Sequence, residues 1–338
     1  MGVQLTDIIK SRSTDISSLL GKTIAIDAFN WIYQFLAIIR QSDGTPLKDS
    51  KGRVTSHLSG LFYRTSKLMQ AGIKPMYVFD GKKPDMKEVT VVERRDAREE
   101  ARKAWQSALK AGNIEEARKQ AMRSTQITGE VIESSKKLLD ALGIPVLQAE
   151  SEGEALCSSL VRDSKAYAAA SQDYDTLLFG CPRLVRNLSI TGRKKRGNDY
   201  IIIEPEIIIL KDILADLGVN QNQLICLGIL VGTDFNPGGV RGIGPKKALE
   251  LVKKKKTFSE IMEGIDWQFD YSPKEIFNFF RNPEQIGDKE INFMEINEKR
   301  LKAILCDEHD FSEERVDSAL QKISERPKQS SLASWMKK

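Results

Sequence analysis

The sequence predicts an α/β fold with a mostly parallel central sheet flanked by helices. Three short apolar segments have strand character and an acid follows each of them, namely residues 23–26 before Asp27, 76–79 before Asp80 and 166–170 before Asp173. Helical patterns separate the segments, and strands that alternate with helices favour parallel pairing. Because ligands bind beyond the carboxyl ends of parallel strands, these acids lie where a functional site is expected.

The composition excludes several classes of protein. The chain has 338 residues, 41% hydrophobic and 29% charged, and no run of about 18 apolar residues that would indicate a membrane span. We therefore expect a globular cytoplasmic protein, or a nuclear one if the source is eukaryotic. Four cysteines without a CxxC pair and only two histidines disfavour a zinc site or a histidine base, so carboxylates must do any catalysis. These residues are Cys157, Cys181, Cys226 and Cys306, which we interpret as buried or incidental thiols, and His57 and His309.

The distribution of charge is more informative than the net charge of +5. Residues 241–256 contain seven basic residues against the single acid Glu250, a local charge of 7 − 1 = +6. A second basic cluster, residues 193–196, lies between Gly192 and Gly197 and is predicted to be an exposed loop. Both clusters could contact phosphate, although a solvated surface explains the second equally well.

Residues 82–123 form a strongly charged stretch with helical character. They include twelve basic and eight acidic residues, a net charge of 12 − 8 = +4, and Gly112-Asn113 is the predicted break between two helices. A solvated helix pair with ion pairs along its surface would explain this pattern. A cationic arch over the site would explain it as well.

Seven acids are the candidate functional residues. Each has a structural explanation when taken singly, since acids begin turns after strands, and Ser151 with Glu154 fits a helix capping box. Together, the strand-end acids and two acid-x-acid pairs would repel one another unless protons or cations neutralise them. Carboxylate oxygens suit Mg²⁺ or Mn²⁺, and a site with two such ions can hydrolyse a phosphodiester. The seven are Asp27, Asp80, Glu152, Glu154, Asp173, Asp175 and Asp234.

A glycine-rich segment, residues 239–248, is predicted to bind a phosphate backbone. Gly242 and Gly244 precede a proline at a helix start, and Lys246 and Lys247 fall in the first helical turn, whose free amides attract anions. An ordinary connection between two helices is the alternative. The segment resembles a helix-hairpin-helix element, which grips duplex DNA independently of sequence and can hold a monovalent cation.

Several motifs in the same order resemble the flap endonuclease family of archaeal and eukaryotic replication, over essentially the whole chain. They are MGVQLTDII, IAIDAFNWIYQFL, YVFDGKKP, ESEGEALCSSL, SQDYDTLLFG, GTDFNPGGVRGIGPKKA and QSSLASWM. The resemblance implies a PIN-like nuclease core with two Mg²⁺ ions on the seven acids, for which Mn²⁺ can substitute. It implies cleavage of DNA at a 5′ flap and a 5′-3′ exonuclease activity, used in lagging-strand maturation and repair.

The resemblance also implies roles for individual residues. Lys87 and Arg94 would contact the scissile phosphate, and they lie seven residues apart on one helix face. Tyr33 would stack on a base beside the cut, although an amphipathic-helix core position is an equal alternative. The charged stretch would be an arch through which a 5′ single strand passes.

The tail resembles the family's motif for a sliding clamp (PCNA). A short turn would place the apolar side chains of the motif in one pocket of the clamp. Relatives usually have a second aromatic residue at the position of Met336, which departs from the pattern. The motif residues are Gln329, Leu332, Trp335 and Met336. The chain ends at Lys338 without a long basic extension, so we expect an archaeal source, and we expect a monomer in the absence of the clamp.

These motifs divide the chain into five predicted regions. The nuclease core has an N-terminal half (1–99) and an internal half (116–258), the latter with the DNA-binding hairpin (232–256). The arch spans 82–130, a C-terminal helical region spans 259–328, and the clamp motif spans 329–337. A DNA-binding clamp adaptor without catalysis remains an alternative, as does another branch of 5′ nucleases with the same core.

Overall fold

The structure is a computed structural model that describes residues 2–190, 192–196, 199–287 and 289–325. Its core is a seven-stranded mixed sheet in the order β1-β9-β6-β5-β2-β3-β4, with a separate antiparallel hairpin of β7 and β8. The strands are β1 (Arg12–Ser13), β2 (Thr23–Asp27), β3 (Lys74–Phe79), β4 (Val146–Gln148), β5 (Ala168–Ala170), β6 (Arg183–Arg186), β7 (Gly192–Arg196), β8 (Asp199–Ile203) and β9 (Glu206–Ile209).

The centre of the sheet is parallel, as the sequence predicts. β2 pairs with β3 on one side and β5 on the other, while β4 extends β3 and β6 extends β5, all in parallel register. Only β9 and β1 add antiparallel pairs, at one edge. The carboxyl ends of β3, β2 and β5 therefore meet at one edge of the sheet.

Fourteen α-helices are present in the described residues, and several of them pack against the sheet. The first seven are α1 (Ala28–Ile38), α2 (Ser56–Gln70), α3 (Glu88–Lys110), α4 (Ile114–Arg123), α5 (Gly129–Ala141), α6 (Gly153–Arg162) and α7 (Asp175–Leu178). The others are α8 (Leu210–Leu217), α9 (Gln221–Val231), α10 (Pro245–Lys254), α11 (Phe258–Met262), α12 (Pro273–Arg281), α13 (Glu298–Lys302) and α14 (Glu313–Ser324). In the described residues no single helix is long and apolar enough to cross a membrane, and only α8 and α9, bent by 78°, pass that test as a pair.

Alternating side chains of β2 fill two cores, as the pleat of a strand requires. Ile24 and Ile26 are fully buried in one cluster with α1, α2 and α5. Ala25 faces the other side, against Leu156 and Leu160 of α6. A third cluster of buried hydrophobic side chains joins α7, which follows β5, to α12.

Two sequence predictions about local structure are confirmed. α3 ends at Lys110 and α4 begins at Ile114, with Gly112 in the left-handed region (φ +69°) and Asn113 as the helix cap. α10 begins at Pro245 with Gly244 as its cap.

Two other predictions are wrong. Residues 193–196 form most of β7 rather than a loop, because they pair residue by residue with β8, whose isoleucine run favours extended backbone. Ser151 does not cap a helix, because α6 begins one residue later, with Glu152 at the cap position and no side-chain capping bond. The capping-box explanation of Ser151 and Glu154 therefore fails.

Candidate metal and nucleic-acid site

The fold brings the seven predicted acids to one edge of the sheet. Asp27 is the last residue of β2 and caps α1 by accepting the Asn30 N–H at 3.0 Å. Asp80 follows β3, Asp173 lies in the turn after β5, and Asp175 is the first residue of α7. Glu152 and Glu154 lie at the start of α6, and Asp234 follows α9. Side chains from five separated segments thus share one region.

Short polar contacts connect these acids across the chain. The Ser171 hydroxyl lies 2.9 Å from Glu154 Oε1 and 3.3 Å from Asp27 Oδ2. The Gly153 N–H donates to Asp80 Oδ1 at 2.8 Å. A side chain at position 153 would collide with that carboxylate, because a Cβ would lie 2.8 Å from Oδ1. The glycine therefore allows Asp80 to approach the start of α6.

Burial and mutual repulsion raise the pKa of four of the acids. Burial raises the pKa of Asp27 to about 8, with further contributions from Asp80 and Asp173. Burial and Glu152 raise the pKa of Asp80 to about 6, and burial and Asp234 raise that of Asp175 to about 7. The pKa of Glu154 lies well above its ordinary value because of burial and Asp173. At neutral pH the cluster holds protons unless a cation replaces them.

Two cations from the charged stretch lie against the cluster. Lys87 Nζ lies 2.5 Å from Glu152 Oε2 and 3.4 Å from Asp234 Oδ2, and Arg94 Nη2 lies 2.6 Å from Asp234 Oδ1. Burial opposes the charge of Lys87, but Glu152 and Asp234 outweigh it and raise its pKa. Burial likewise opposes the charge of Asp234, but Lys87 and Arg94 hold its pKa below the usual range.

The first residues of the chain also reach the site. The Gly2 N–H donates to Asp173 Oδ1 at 3.2 Å, and the Val3 N–H donates to Asp175 Oδ1 at 2.7 Å. A Cβ at position 2 would lie 2.9 Å from the Asp175 carboxylate, so glycine permits this close approach.

The donor set fits a hard divalent cation. Mg²⁺ and Mn²⁺ prefer deprotonated carboxylate oxygens, so binding to this cluster would release the protons that its buried acids retain. Among the described residues, no three histidine, cysteine or carboxylate side chains already form a complete metal-ligand group. The carboxylates of Glu152 and Asp234 are instead paired with Lys87 and Arg94.

The other predicted contact residues surround this edge or extend from it. Tyr33 on α1 is 41% exposed, so the core alternative for this residue is excluded. Gly242 has a φ of +78°, which favours glycine, and Lys247 Nζ donates to its carbonyl at 3.1 Å. Lys246 and Lys247 are exposed in the first turn of α10. The clamp motif, Gln329, Leu332, Trp335 and Met336, lies outside the described residues.

Sequence reasoning missed the polar residues that hold the acids in place. The Thr176 hydroxyl donates to Glu154 Oε1 at 3.0 Å, and the Asn30 amide lies 3.4 Å from Asp173 Oδ2. The Thr90 hydroxyl donates to the Asp234 carbonyl, which links α3 to the loop after α9. Asn30 lies three residues after Asp27, and Thr176 lies one residue after Asp175. This closeness in sequence to two predicted acids is the one feature that indicates them.

The chain matches known protein families and relatives along its length. Residues 1–101 match the XPG N-terminal domain, and residues 143–234 match the XPG I-region. Flap endonuclease 1 of Pyrococcus abyssi is 53% identical over 340 residues, covering 99% of this chain and 98% of that protein. Flap endonuclease 1 of Pyrococcus furiosus is 52% identical over 343 residues, covering all of both chains.

A solved structure agrees with the sequence relatives. Flap endonuclease-1 from Methanococcus jannaschii superposes with a TM-score of 0.75 at 38% identity, covering 95% of this chain and 98% of that one. The acid cluster, the fold and these full-length relatives lead to the same assignment. The chain belongs to the flap endonuclease family, whose members are metal-dependent nucleases.

Proposed function

We propose that this protein hydrolyses a DNA phosphodiester near the base of a 5′ flap, with two Mg²⁺ ions held by its seven clustered acids. One observation carries the proposal: carboxylates from five chain segments share one edge of the sheet, and Lys87 and Arg94 lie against them. Mn²⁺ is the expected substitute because it takes the same oxygen ligands.

The bound ions would activate the attacking water and stabilise the leaving oxygen. The chain's own residues would bind and orient the DNA. Lys87 and Arg94 each carry a fixed positive charge within reach of the acids, so a phosphate placed over the cluster would meet both cations. The exposed ring of Tyr33 would stack on the base beside that phosphate.

The same residues explain how an anionic substrate can approach an acidic site. Bare carboxylates would repel a phosphate. In the structure, Lys87 and Arg94 already neutralise part of the charge of Glu152 and Asp234. If these carboxylates held divalent ions, Lys87 and Arg94 would be free to pair with phosphate oxygens.

Two further regions would hold the rest of the substrate. The hairpin of α9 and α10, with Gly242, Gly244, Lys246 and Lys247, would grip the duplex backbone and could hold a monovalent cation at its carbonyls. The helix pair α3 and α4 would form the arch through which the 5′ single strand passes. A free 5′ end in the same path would give the 5′-3′ exonuclease activity. These activities suit lagging-strand maturation and DNA repair in the cytoplasm.

A sliding clamp is the proposed protein partner. The motif at Gln329, Leu332, Trp335 and Met336 would insert its apolar side chains into a pocket of the clamp. Without the clamp or DNA we propose a monomer.

The first experiment is cleavage of an end-labelled 5′-flap duplex, compared with single-stranded, nicked, 3′-flap and four-way substrates, in Mg²⁺ and in chelator. Mg²⁺-dependent incision near the flap base, preferred over the other substrates, is the expected result. Preferred incision of the four-way substrate would contradict the flap assignment and favour another branch of the fold.

A DNA-binding clamp adaptor without catalysis is the competing function. Asp173→Ala separates the two, because Asp173 is a proposed metal ligand and does not belong to the DNA-binding hairpin. We expect this variant to bind the flap duplex and to lose more activity than the roughly 10–100-fold that supporting residues of metal sites cost. Unchanged cleavage by Asp173→Ala would refute the site assignment.

A further inference from the structure

Arg186, at the end of β6, holds the turn that carries Asp173. Its Nε donates to the Gln172 carbonyl at 3.2 Å, and its Nη1 donates to the Tyr174 hydroxyl at 2.6 Å. The guanidinium carbon lies 4.4 Å from the centre of the Tyr174 ring, so the two groups also stack. Arg186 thus contacts both residues that flank Asp173.

Strand register explains why an arginine from β6 reaches this turn. β5 and β6 are parallel, with Ala170 opposite Val185, so the next residue of β6 lies beside the point where β5 ends and the turn begins. Across β6, Glu206 of β9 is opposite Arg186, and its carboxylate lies 3.7 Å from Nη1. The guanidinium therefore has an ion-pair partner on the β9 side as well as its contacts with the turn.

Arg186 and Tyr174 are both largely buried. Tyr174 is 5% exposed and the Arg186 side chain 19% exposed. Among the described residues, Arg186 makes its polar contacts with Gln172, Tyr174 and Glu206 and with none of the seven acids. Its effect on the acids must therefore act through the backbone of the turn.

We propose that Arg186 is a positioning residue for metal binding, which fixes the Gln172–Tyr174 turn so that the Asp173 and Asp175 carboxylates point toward a shared cation. A flat guanidinium can donate to a carbonyl and a hydroxyl while it stacks on a ring face, whereas a lysine ammonium has no flat face to stack. This inference rests on the proposed role of Asp173 as a metal ligand.

Arg183 supplies a matched control within the same strand. Its Nε donates to the Tyr167 carbonyl at 2.6 Å, and its guanidinium carbon lies 4.5 Å from the centre of the Tyr167 ring. The two arginine–tyrosine pairs are chemically alike, but that of Arg183 lies at the amino end of β5, away from the acids. Loss of either pair should affect folding similarly, and only loss of the Arg186 pair should affect metal binding.

The test is Mn²⁺ binding to the DNA-free protein, followed by the paramagnetic resonance signal of free Mn²⁺. We expect Arg186→Ala to weaken Mn²⁺ binding by about 10-fold or more, in the range that loss of a supporting residue costs a metal site. Arg186→Lys should bind with intermediate affinity, and Tyr174→Phe should weaken binding less because the ring remains. Arg183→Ala should bind Mn²⁺ as the unmodified protein does.

A second measurement excludes a direct DNA contact. Flap-duplex binding in chelator should be unchanged in Arg186→Ala, and high Mn²⁺ should restore much of its cleavage rate. Unchanged Mn²⁺ affinity in Arg186→Ala and Arg186→Lys would overturn the proposal, as would an equal loss in Arg183→Ala. Asp173→Asn is measured alongside: if it too leaves Mn²⁺ binding unchanged, the proposed metal site itself fails, whereas a loss in Asp173→Asn alone refutes only the role of Arg186.

Discussion

The ammonium of Lys87 lies 2.5 Å from the carboxylate of Glu152, a residue 65 positions later in the chain. This ion pair and the Arg94–Asp234 pair join the first turns of α3 and the residue before it to the acid cluster. The cations proposed to bind phosphate therefore already contact the carboxylates proposed to bind metal. In the structure, these ion pairs link the start of α3 electrostatically to the acid cluster.

Arg94 and its neighbour Arg95 allow the role of the arch cations to be tested. Arg94 reaches Asp234, whereas Arg95 is exposed and, within the part of the chain that the structure describes, pairs only with Asp96 on the helix surface. We expect Arg94→Met to lower the single-turnover cleavage rate by about 10²–10³-fold, as loss of a donor to transition-state charge does. Arg95→Met removes the same charge and should stay within about 2-fold, because exposed ion pairs contribute little. Equal effects of the two substitutions would contradict a specific role for Arg94.

The acid cluster should make metal-free stability depend on pH. Burial raises the pKa of Asp27 from 3.8 in the unfolded chain to about 8 in the folded protein, so between these pH values the folded protein holds a proton that the unfolded chain has released. The contribution of Asp27 to the free energy of unfolding therefore falls as pH rises from about 4 to about 8. Calorimetry in chelator should show that Asp27→Asn raises Tm more at pH 8 than at pH 5.5. The same gain at both pH values would contradict the raised pKa.

Bound metal should reverse that loss. Mg²⁺ binds only the deprotonated carboxylates, so it should raise the Tm of the unmodified protein more at pH 8 than at pH 5.5. Mg²⁺ should raise the Tm of Asp27→Asn less, because one proposed ligand is missing. A larger Mg²⁺ effect at the lower pH would be inconsistent with this coupling.

Lys246 and Lys247 should set the salt dependence of duplex binding. Replacing both with alanine should weaken binding and reduce the slope of log affinity against log salt by about one unit per lost phosphate contact. A titration by fluorescence anisotropy at several salt concentrations measures both effects. The control is Lys299→Ala with Arg300→Ala on α13, which removes two charges beside the other core and should leave the slope unchanged. An unchanged slope in the hairpin variant would leave the hairpin as a structural connection only.

Truncation after Lys328 should separate clamp stimulation from cleavage. The described acids, arch and hairpin all precede this position, so basal cleavage should be unchanged. Stimulation by the clamp should disappear, and Trp335→Ala in the full chain should reduce it. Equal stimulation of the truncated and full proteins would refute the tail assignment.

Strand direction allows the sequence to predict which acids can meet, because parallel strands end at the same edge of a sheet. Asp27 and Asp80 were placed together by one argument, that parallel strands end at the same edge of a sheet. The structure has β2 and β3 in parallel register, which confirms the argument for these residues. The roles of the acids in metal binding stay a prediction.

What sequence could not supply is the set of contacts between distant segments. Nothing in the local pattern relates Arg186 to Tyr174, because their contact depends on the register of β5 and β6. The basic run 193–196 forms a strand rather than the predicted loop for a similar reason: pairing with β8 decides its conformation. Ser151 fitted a capping box by spacing, yet α6 starts one residue later, at a boundary that spacing alone does not fix.

The turn at Gly112 divides the site as well as the arch. Two of the seven acids, Asp27 and Asp80, precede this exposed turn, as do the cations Lys87 and Arg94. The other five acids follow it. A single protease cut there would leave two fragments, of which neither carries all seven acids. Because β2 pairs with β3 in the first fragment and with β5 in the second, the sheet itself would guide reassembly. The enzyme is therefore suited to fragment complementation, in which nuclease activity reports that two separately produced halves have met.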